Sequence, residues 1–450
     1  MNRLLVTLSL GVFAGALDLG VLSPALPALG RDFNVQVGDL AWVFTIYLLV
    51  TVLSIALAST LADRYGRRYV YLACLALFAA GSVLAIVAPN YSVFLTARAI
   101  QALGAGGIFP VATAAIADAV PPGRRGAALG IVAATWGLAA VVGPSIGGLI
   151  TNFISWRWIF AANVPLAAVV FALALRDIPL RAPRQRDSLD VLGLALLCVG
   201  LLGLTDGLIA MRPIVGVIGA FVLAAFALWE GMIDAPIVPL ELLRTPQLIK
   251  TYSLEILIGV LEGSLFFVPT VLIGAQGLSY AAAGFIAALG ALTFVAIIPG
   301  SGRALDRIGS RNVLLAGAIL TEIGLAIFAL AFASLPLAVI AVVVAGAGFG
   351  ALLGAPTRYI VTNETPANVR ATAVGLLSQA LIVGQIVGSS LAGALFALAH
   401  SETIGYRNAY LAFSGVAFLA LVLAATLKPA GEERRRPFDD APARAAAGAR

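Results

Sequence analysis

The chain has 450 residues, 61% hydrophobic and only 11% charged, with a formal net charge of +6 and a mean hydropathy of +1.03. Soluble domains carry roughly 45–50% apolar and about 25% charged residues, so this chain has too little charge to cover a water-facing surface and must be solvated by lipid. Its basic residues form no single patch, which excludes a nucleic-acid groove.

A helix needs about 20 apolar residues to cross a hydrocarbon core of about 30 Å. Such runs lie near residues 4–24, 41–61, 69–88, 92–116, 127–150 and 158–175. The first has the charge-then-apolar order of a signal peptide, but Asp18 interrupts it and many spans follow, so it is read as a retained helix. The linker "RDIPLRAPRQRDSLD" leads to two runs at 190–210 and 214–233, joined by "MRP". Further runs lie near 250–273, 281–300, 312–333, 336–357, 371–399 and 407–427, and the segment from Pro429, with "EERRR" and "APARAAAGAR", reads as a disordered, solvated tail. The predicted fold is an all-α integral membrane protein of 14 transmembrane helices. It divides into six-helix bundles at 1–175 and 249–428, a linker with an additional helix pair at 176–248, and a cytoplasmic tail at 429–450.

Charge fixes the expected orientation. With the amino terminus inside, of the 28 Lys and Arg only Arg31, Arg157, Arg212 and Arg407 fall in outside loops, and Arg98 lies within a span. This bias follows the positive-inside rule and puts both termini in the cytoplasm. The flanking sets of six look like copies. "STLADRYGRR" at 59–68 aligns with "GRALDRIGSR" at 302–311, pairing Asp63 with Asp306, Gly66 with Gly309 and Arg68 with Arg311 at an offset of 243. Arg125, Gly130, Gly143 and Gly148 align with Arg370, Gly375, Gly388 and Gly393 at an offset of 245. Two similar bundles rocking about a midplane site give a transporter alternating access, which a channel or membrane enzyme does not require.

Five segments carry a family resemblance: "LADRYGRR", "WVFTIYLL" at 42–49, "LTARAIQALGAGG" at 95–107, "GLAAVVGPSIGGLI" at 137–150 and "WRWIFAANVPL" at 156–166. The chain resembles the major facilitator superfamily in its 14-helix drug:proton antiporter branch. Ser59 departs from the Gly usual in the signature loop. The resemblance implies that the first, fourth, seventh and tenth core helices line the cavity, and that the 137–150 segment is the fifth-helix motif associated with antiporters. It leaves the substrate open, because the scaffold carries drugs, lipids and metabolites.

Gly137, Gly143, Gly147 and Gly148 permit close helix approach, and Pro144 bends the helix by interrupting its hydrogen-bond ladder; plain packing competes with a moving contact between halves. The glycines of "GAGG" and "GAGFG" sit inside apolar spans and so are not phosphate loops. Asp63, Arg67 and Arg68, with Asp306 and Arg311, stand at helix junctions and read either as solvated turns or as a cytoplasmic gate. Exposed pairs contribute only about 0–1 kcal/mol, which suits a latch that must open.

At about 1.5 Å per residue, Asp18 lies about 21 Å up the first span and Arg98 about 9 Å below the top of the fourth. These levels coincide, and an unpaired charge at mid-helix costs about 2.5–3.5 kcal/mol, so the two are expected to supply each other. In "EILIGVLEGSLFFVP", Glu262 lies about 18 Å up its span and Glu255 two turns lower on the same face. Proton exchange needs a poorly solvated carboxyl that titrates near neutral pH. Glu262 is therefore the expected main carrier, with Asp18 and Arg98 its coupled partners or an anchor. Plain helix-to-helix hydrogen bonding is the competing reading.

Cavity candidates are Tyr47, Thr51, Gln101, Trp136, Phe266, Gln379 and Gln385, a mix that favours bulky amphipathic or cationic ligands. Glu322 is expected at a peripheral contact, Asp206 to reach water, and Asp118 to be an ordinary solvated carboxylate. His400 is expected in an outer loop, and Cys74 and Cys198 as packing residues without disulfide or metal roles. One peripheral histidine and no cysteine cluster leave little for an enzyme. The expected function is export of lipophilic or cationic small molecules in exchange for protons, the alternative being an exporter or flippase for a lipid or endogenous metabolite. No cofactor is expected beyond the proton gradient. The expected partners are the lipid bilayer, a small amphipathic substrate and protons, with no nucleic acid, for a monomer in the cell's inner (plasma) membrane.

Overall fold

The computed structural model describes residues 2–180, 190–233, 237, 242, 245–366, 369–399 and 401–433. The charged linker at 181–189, His400 and the tail from 434 onward, on which the sequence made expectations, lie outside the described residues. Among the described residues fourteen helical spans are long and apolar enough to cross a membrane, and none contains a strand.

The chain divides into two compact units. Unit 1 comprises Met1–Ile237, Phe266–Ala288 and Ser389–Tyr406; unit 2 comprises Val238–Leu265, Leu289–Gly388 and Arg407–Arg450. In unit 1 the first span is α1 (Asn2–Leu22) and α2 (Leu26–Phe33), separated by a 3-10 turn at Ser23–Ala25. Pro24 sits in that turn, where its missing N–H forces the break. There follow α3 (Trp42–Tyr65), α4 (Arg67–Ile86), α5 (Tyr91–Ala119), α6 (Pro122–Phe153), α7 (Arg157–Asp177), α8 (Val191–Ile209) and α9 (Pro213–Glu230). Leu8, Val12, Tyr71, Leu75, Ile108, Ile116 and Val170 form the apolar core of this bundle.

Apolar burial alone does not drive helices together in lipid, so backbone approach at small residues carries the packing. A Cβ on Gly104 of α5 would strike the Cys74 carbonyl and the Phe78 amide of α4, and one on Gly147 of α6 the Val21 carbonyl of α1. The α8–α9 hairpin closes the same way: Gly207 lies on Gly216, and Gly219 on the Leu204 amide.

Unit 2 is built from α10 (Pro246–Leu265), most of α12 (Tyr280–Ile308), α13 (Ser310–Ala331), α14 (Leu335–Leu352), α15 (Pro356–Glu364), most of α16 (Arg370–Ala397) and most of α17 (Glu402–Ala425). The helix α11 (Val268–Gln276), started by Pro269, belongs to unit 1. Glycine contacts recur in unit 2. Gly388 of α16 meets the Val260 carbonyl of α10, Gly384 meets that of Ile256, and Gly324 of α13 meets the Ala345 amide of α14. The segment expected to be disordered from Pro429 begins instead with the short helix α18 (Ala430–Glu433).

Gly147→Ala is expected to destabilise the protein by about 1–3 kcal/mol, because the carbonyl it meets is backbone and cannot yield. Gly130→Ala, with nothing within 4 Å of the added carbon, is expected to be neutral or to stabilise by up to about 1 kcal/mol. Thermal unfolding of the two variants in detergent checks both.

Candidate functional site

Asp18 is the centre of a closed polar network inside unit 1. It is 1% exposed and Arg98 is 0% exposed. Arg98 Nη1 donates to Asp18 Oδ2 and, at 2.5 Å, to Gln101 Oε1. Gln101, one turn along α5, donates from Nε2 to Asp18 Oδ1 at 2.8 Å and to Ser82 Oγ of α4 at 3.0 Å. Asn163 Nδ2 of α7 donates to the same Asp18 oxygen at 2.9 Å. The Arg98 guanidinium carbon stands 4.1 Å from the centre of the Tyr47 ring of α3, a cation–π contact that strengthens where water is excluded. Burying two charges costs several kcal/mol per ion, offset only when geometry and further hydrogen bonds are good. Both carboxylate oxygens have partners here, brought by α5 and α7, and five helices build the whole network.

The structure therefore joins Asp18 to Arg98 but places Tyr47 and Gln101, expected to line a substrate cavity, in the wall of this sealed network. Phe266 is likewise in a seal: its ring stacks on Phe44 with centres 4.4 Å apart. Phe266 lies in the break between α10, which ends at Leu265, and α11, which Pro269 helps to start, and the Phe266 carbonyl accepts from Ser23 Oγ at 2.6 Å. At the 243-residue offset of the sequence repeat, Ser23 and Phe266 are counterparts, so matching breaks in the two halves meet each other.

The same repeat carries Asp18 to Glu262 at an offset of 244. In unit 2, Glu262 of α10 is half-buried and accepts from Gln385 Nε2 of α16 at 2.9 Å. Glu255, two turns earlier, is 5% exposed and bonds the Thr357 side chain on α15, near Arg358. Gln379 is half-buried on α16 and Trp136 of α6 is exposed. Glu322 accepts from Ser414 Oγ of α17 at 2.7 Å, and Asp206 pairs with Arg212 at 3.5 Å.

In the first signature-like loop, Arg67 bridges Asp63 at 3.6 Å and Asp118 at 2.7 Å. Asp118 is thus an ion-pair partner and not an ordinary solvated carboxylate, a correction to the sequence reading. It ends α5 where α3 passes into α4, an adjacency in space that sequence separation conceals. Arg68 donates to the Leu175 carbonyl at the end of α7. In unit 2, Asp306 is exposed in the last turn of α12 and Arg311 is half-buried in the first turn of α13. In the fifth-helix motif, Gly143 packs on Gly20 and Gly148 on the Tyr280 carbonyl, while Gly284 meets the Pro144 carbonyl. Gly137 is half-buried. Sequence reasoning missed Asn163, Ser82 and Ser23, since a lone amide or hydroxyl in an apolar span gives no signal of its partner.

The model of the Major Facilitator Superfamily matches residues 8–261 and again 254–448. The chain belongs to that superfamily and is a multi-pass membrane transporter. The tetracenomycin C resistance and export protein of Streptomyces glaucescens is 31% identical over 410 residues, covering 87% of this chain and 75% of that protein. The riboflavin transporter RibZ of Clostridioides difficile (strain 630) is 26% identical over 446 residues, covering 93% and 96%. In fold, the chain is similar to the crystal structure of a D-xylose-proton symporter, with a TM-score of 0.71, 15% identity, and 96% and 98% of the two chains covered.

Asp18→Ala leaves the Arg98 charge buried without its counter-ion and is expected to destabilise by about 3–5 kcal/mol. Glu262→Gln retains a hydrogen-bond partner for Gln385 and is expected to change stability by less than about 1 kcal/mol. Folded yield by size exclusion and thermal unfolding of both variants measure the contrast.

Proposed function

We propose that the protein exports lipophilic or cationic small molecules in exchange for protons, by alternating access, across the plasma membrane with both termini in the cytoplasm. One observation carries this reading: the two acids related by the internal repeat differ in their partners. Asp18 is held by Arg98, Gln101 and Asn163 in a network closed to solvent. Glu262 is half-buried, and its hydrogen bond comes from the neutral amide of Gln385. An acid locked to a guanidinium serves as an anchor, whereas one beside an amide can exchange a proton or meet a cationic ligand without stranding a buried positive charge.

In this mechanism Glu262 carries the proton, Glu255 lies on the route toward the cytoplasmic face, and Asp18 with Arg98 keeps the first bundle rigid. Gln385 orients the Glu262 carboxyl, and Trp136 and Gln379 contribute to the substrate surface. The loops holding Asp63, Arg67 and Arg68, and Asp306 and Arg311, act as the cytoplasmic gate. The Arg67 pairs are part-exposed and weak enough to break in each cycle. The glycines and Pro144 of α6 form a surface without side-chain interlock, on which helices can slide. Likeness to the tetracenomycin C resistance and export protein supports an exporter, and likeness to the riboflavin transporter supports the alternative of a metabolite as cargo.

Purified full-length protein in liposomes under an imposed pH gradient tests the reading, with ethidium as cargo. Wild type is expected to move ethidium against its gradient and Glu262→Gln to lose at least about tenfold in rate, the loss of one essential acid–base group. Equal rates in both proteins overturn the assignment of the proton to Glu262. No movement by folded wild type, together with gradient-driven movement of riboflavin, moves the cargo to metabolites.

A further inference from the structure

The chain does not leave unit 2 when α17 ends. Lys250 Nζ, in the second turn of α10, donates to the Thr426 carbonyl at 2.8 Å. The Lys428 amide donates to Gln247 Oε1, also on α10, at 3.2 Å. The Lys428 ammonium pairs with Glu364 at the end of α15 at 2.5 Å. Glu433 Oε2 then accepts from the Ser310 amide, the first residue of α13, at 3.0 Å. Leu427 is 2% exposed and Glu433 7%. Eight residues thus run across one end of unit 2 and attach to three helices on the way.

The landing site is the second copy of the signature-like loop. Gly309 there has φ +80°, and a Cβ on it would lie 2.5 Å from that of Ala430. Only a glycine gives the loop this backbone and lets α18 close on it. Glu433 supplies the amino-terminal acceptor that α13 does not get from its own Gly309, and a carboxylate suits the positive end of a helix dipole. Among the described residues, the first copy of the loop has no such arrangement. Gly66 has φ +94° in the matching position, but α4 has no side-chain cap from its N-cap residue, and its loop is tied instead through Arg67 to Asp118 and through Arg68 to Leu175.

We propose that Thr426–Glu433 is a strap that sets the position of the α12–α13 loop, with Glu433 as the positioning residue for Asp306 and Arg311. The strap binds that loop to α10, the helix that carries Glu255 and Glu262, so that loop and helix move together. The proposal rests on the reading of this loop as a cytoplasmic gate. It gives the carboxyl-terminal segment a part in turnover, in place of a dispensable tail.

Full-length protein carrying Glu433→Ala, Glu433→Gln or Gly309→Ala tests it by two readouts. The first is amide hydrogen exchange at Ser310–Val313, which needs no cargo. In Glu433→Ala and Gly309→Ala these amides are expected to exchange about fivefold faster, the factor an ordinary helix cap provides, while Arg67–Val70 stay as in wild type. Glu433→Gln keeps an acceptor oxygen and is expected to retain most of the protection. The second readout is ethidium transport: Glu433→Ala is expected to lower the maximal rate severalfold with the half-saturating concentration unchanged, and Glu433→Gln to restore it.

Unchanged exchange in Glu433→Ala overturns the strap. Faster exchange with a wild-type maximal rate overturns the positioning role, because the contact is then only structural. If wild type itself does not move ethidium, the proposed function fails separately, and exchange alone decides the strap: a rise confined to Ser310–Val313 supports it and no rise overturns it.

Discussion

A guanidinium in the middle of a lipid-solvated bundle cannot be left to itself, and unit 1 is organised around that fact. Arg98 is fully buried, so α1 must bring Asp18 alongside α5, and the Asp18 carboxylate in turn needs more hydrogen-bond donors than one Nη1 can supply. Gln101 and Asn163 supply them, and Ser82 takes the remaining Gln101 donor. The arrangement has a packing condition. Gly81 lies so close to the backbone at Ala97 and Gln101 that any side chain there would push α4 away and carry Ser82 with it. Charge, amide and glycine therefore specify one another.

The internal repeat gives the two halves one plan, and the differences between them hold the chemistry. Asp18 and Glu262 occupy matching places ahead of matching proline breaks, yet one is answered by a cation and the other by an amide. The signature-like loops differ as well: an ion pair to Asp118 steadies one, and the carboxyl-terminal segment steadies the other. Two copies of one helical plan therefore carry different polar interiors on the same backbone.

Much of the fold was legible because lipid imposes a length and a polarity on every span. The runs read from composition coincide with the helices seen, most to within a few residues at their ends, whereas the breaks at Pro24 and Pro269 were not read from the sequence. The Asp18–Arg98 contact was legible for a related reason: two charges at one depth in an apolar medium have few choices. Neutral polar residues gave no such lead. Asn163 and Ser82 look like ordinary tolerated residues in apolar helices, and their role appears only once α4, α5 and α7 surround Asp18. Phe266 and Tyr47 were read as cavity residues because aromatic type says nothing about which way a helix is turned; one stacks on Phe44 and the other covers Arg98.

The glycine seam between α8 and α9 has a consequence of another kind. With Gly207 against Gly216 and Gly219 against the backbone at Leu204, the two helices pack backbone to backbone on each other, while α8 also packs against α3. Such a hairpin brings its two spans as a pair, which keeps the count of spans even and so leaves the sidedness of everything downstream the same as it would be without the hairpin.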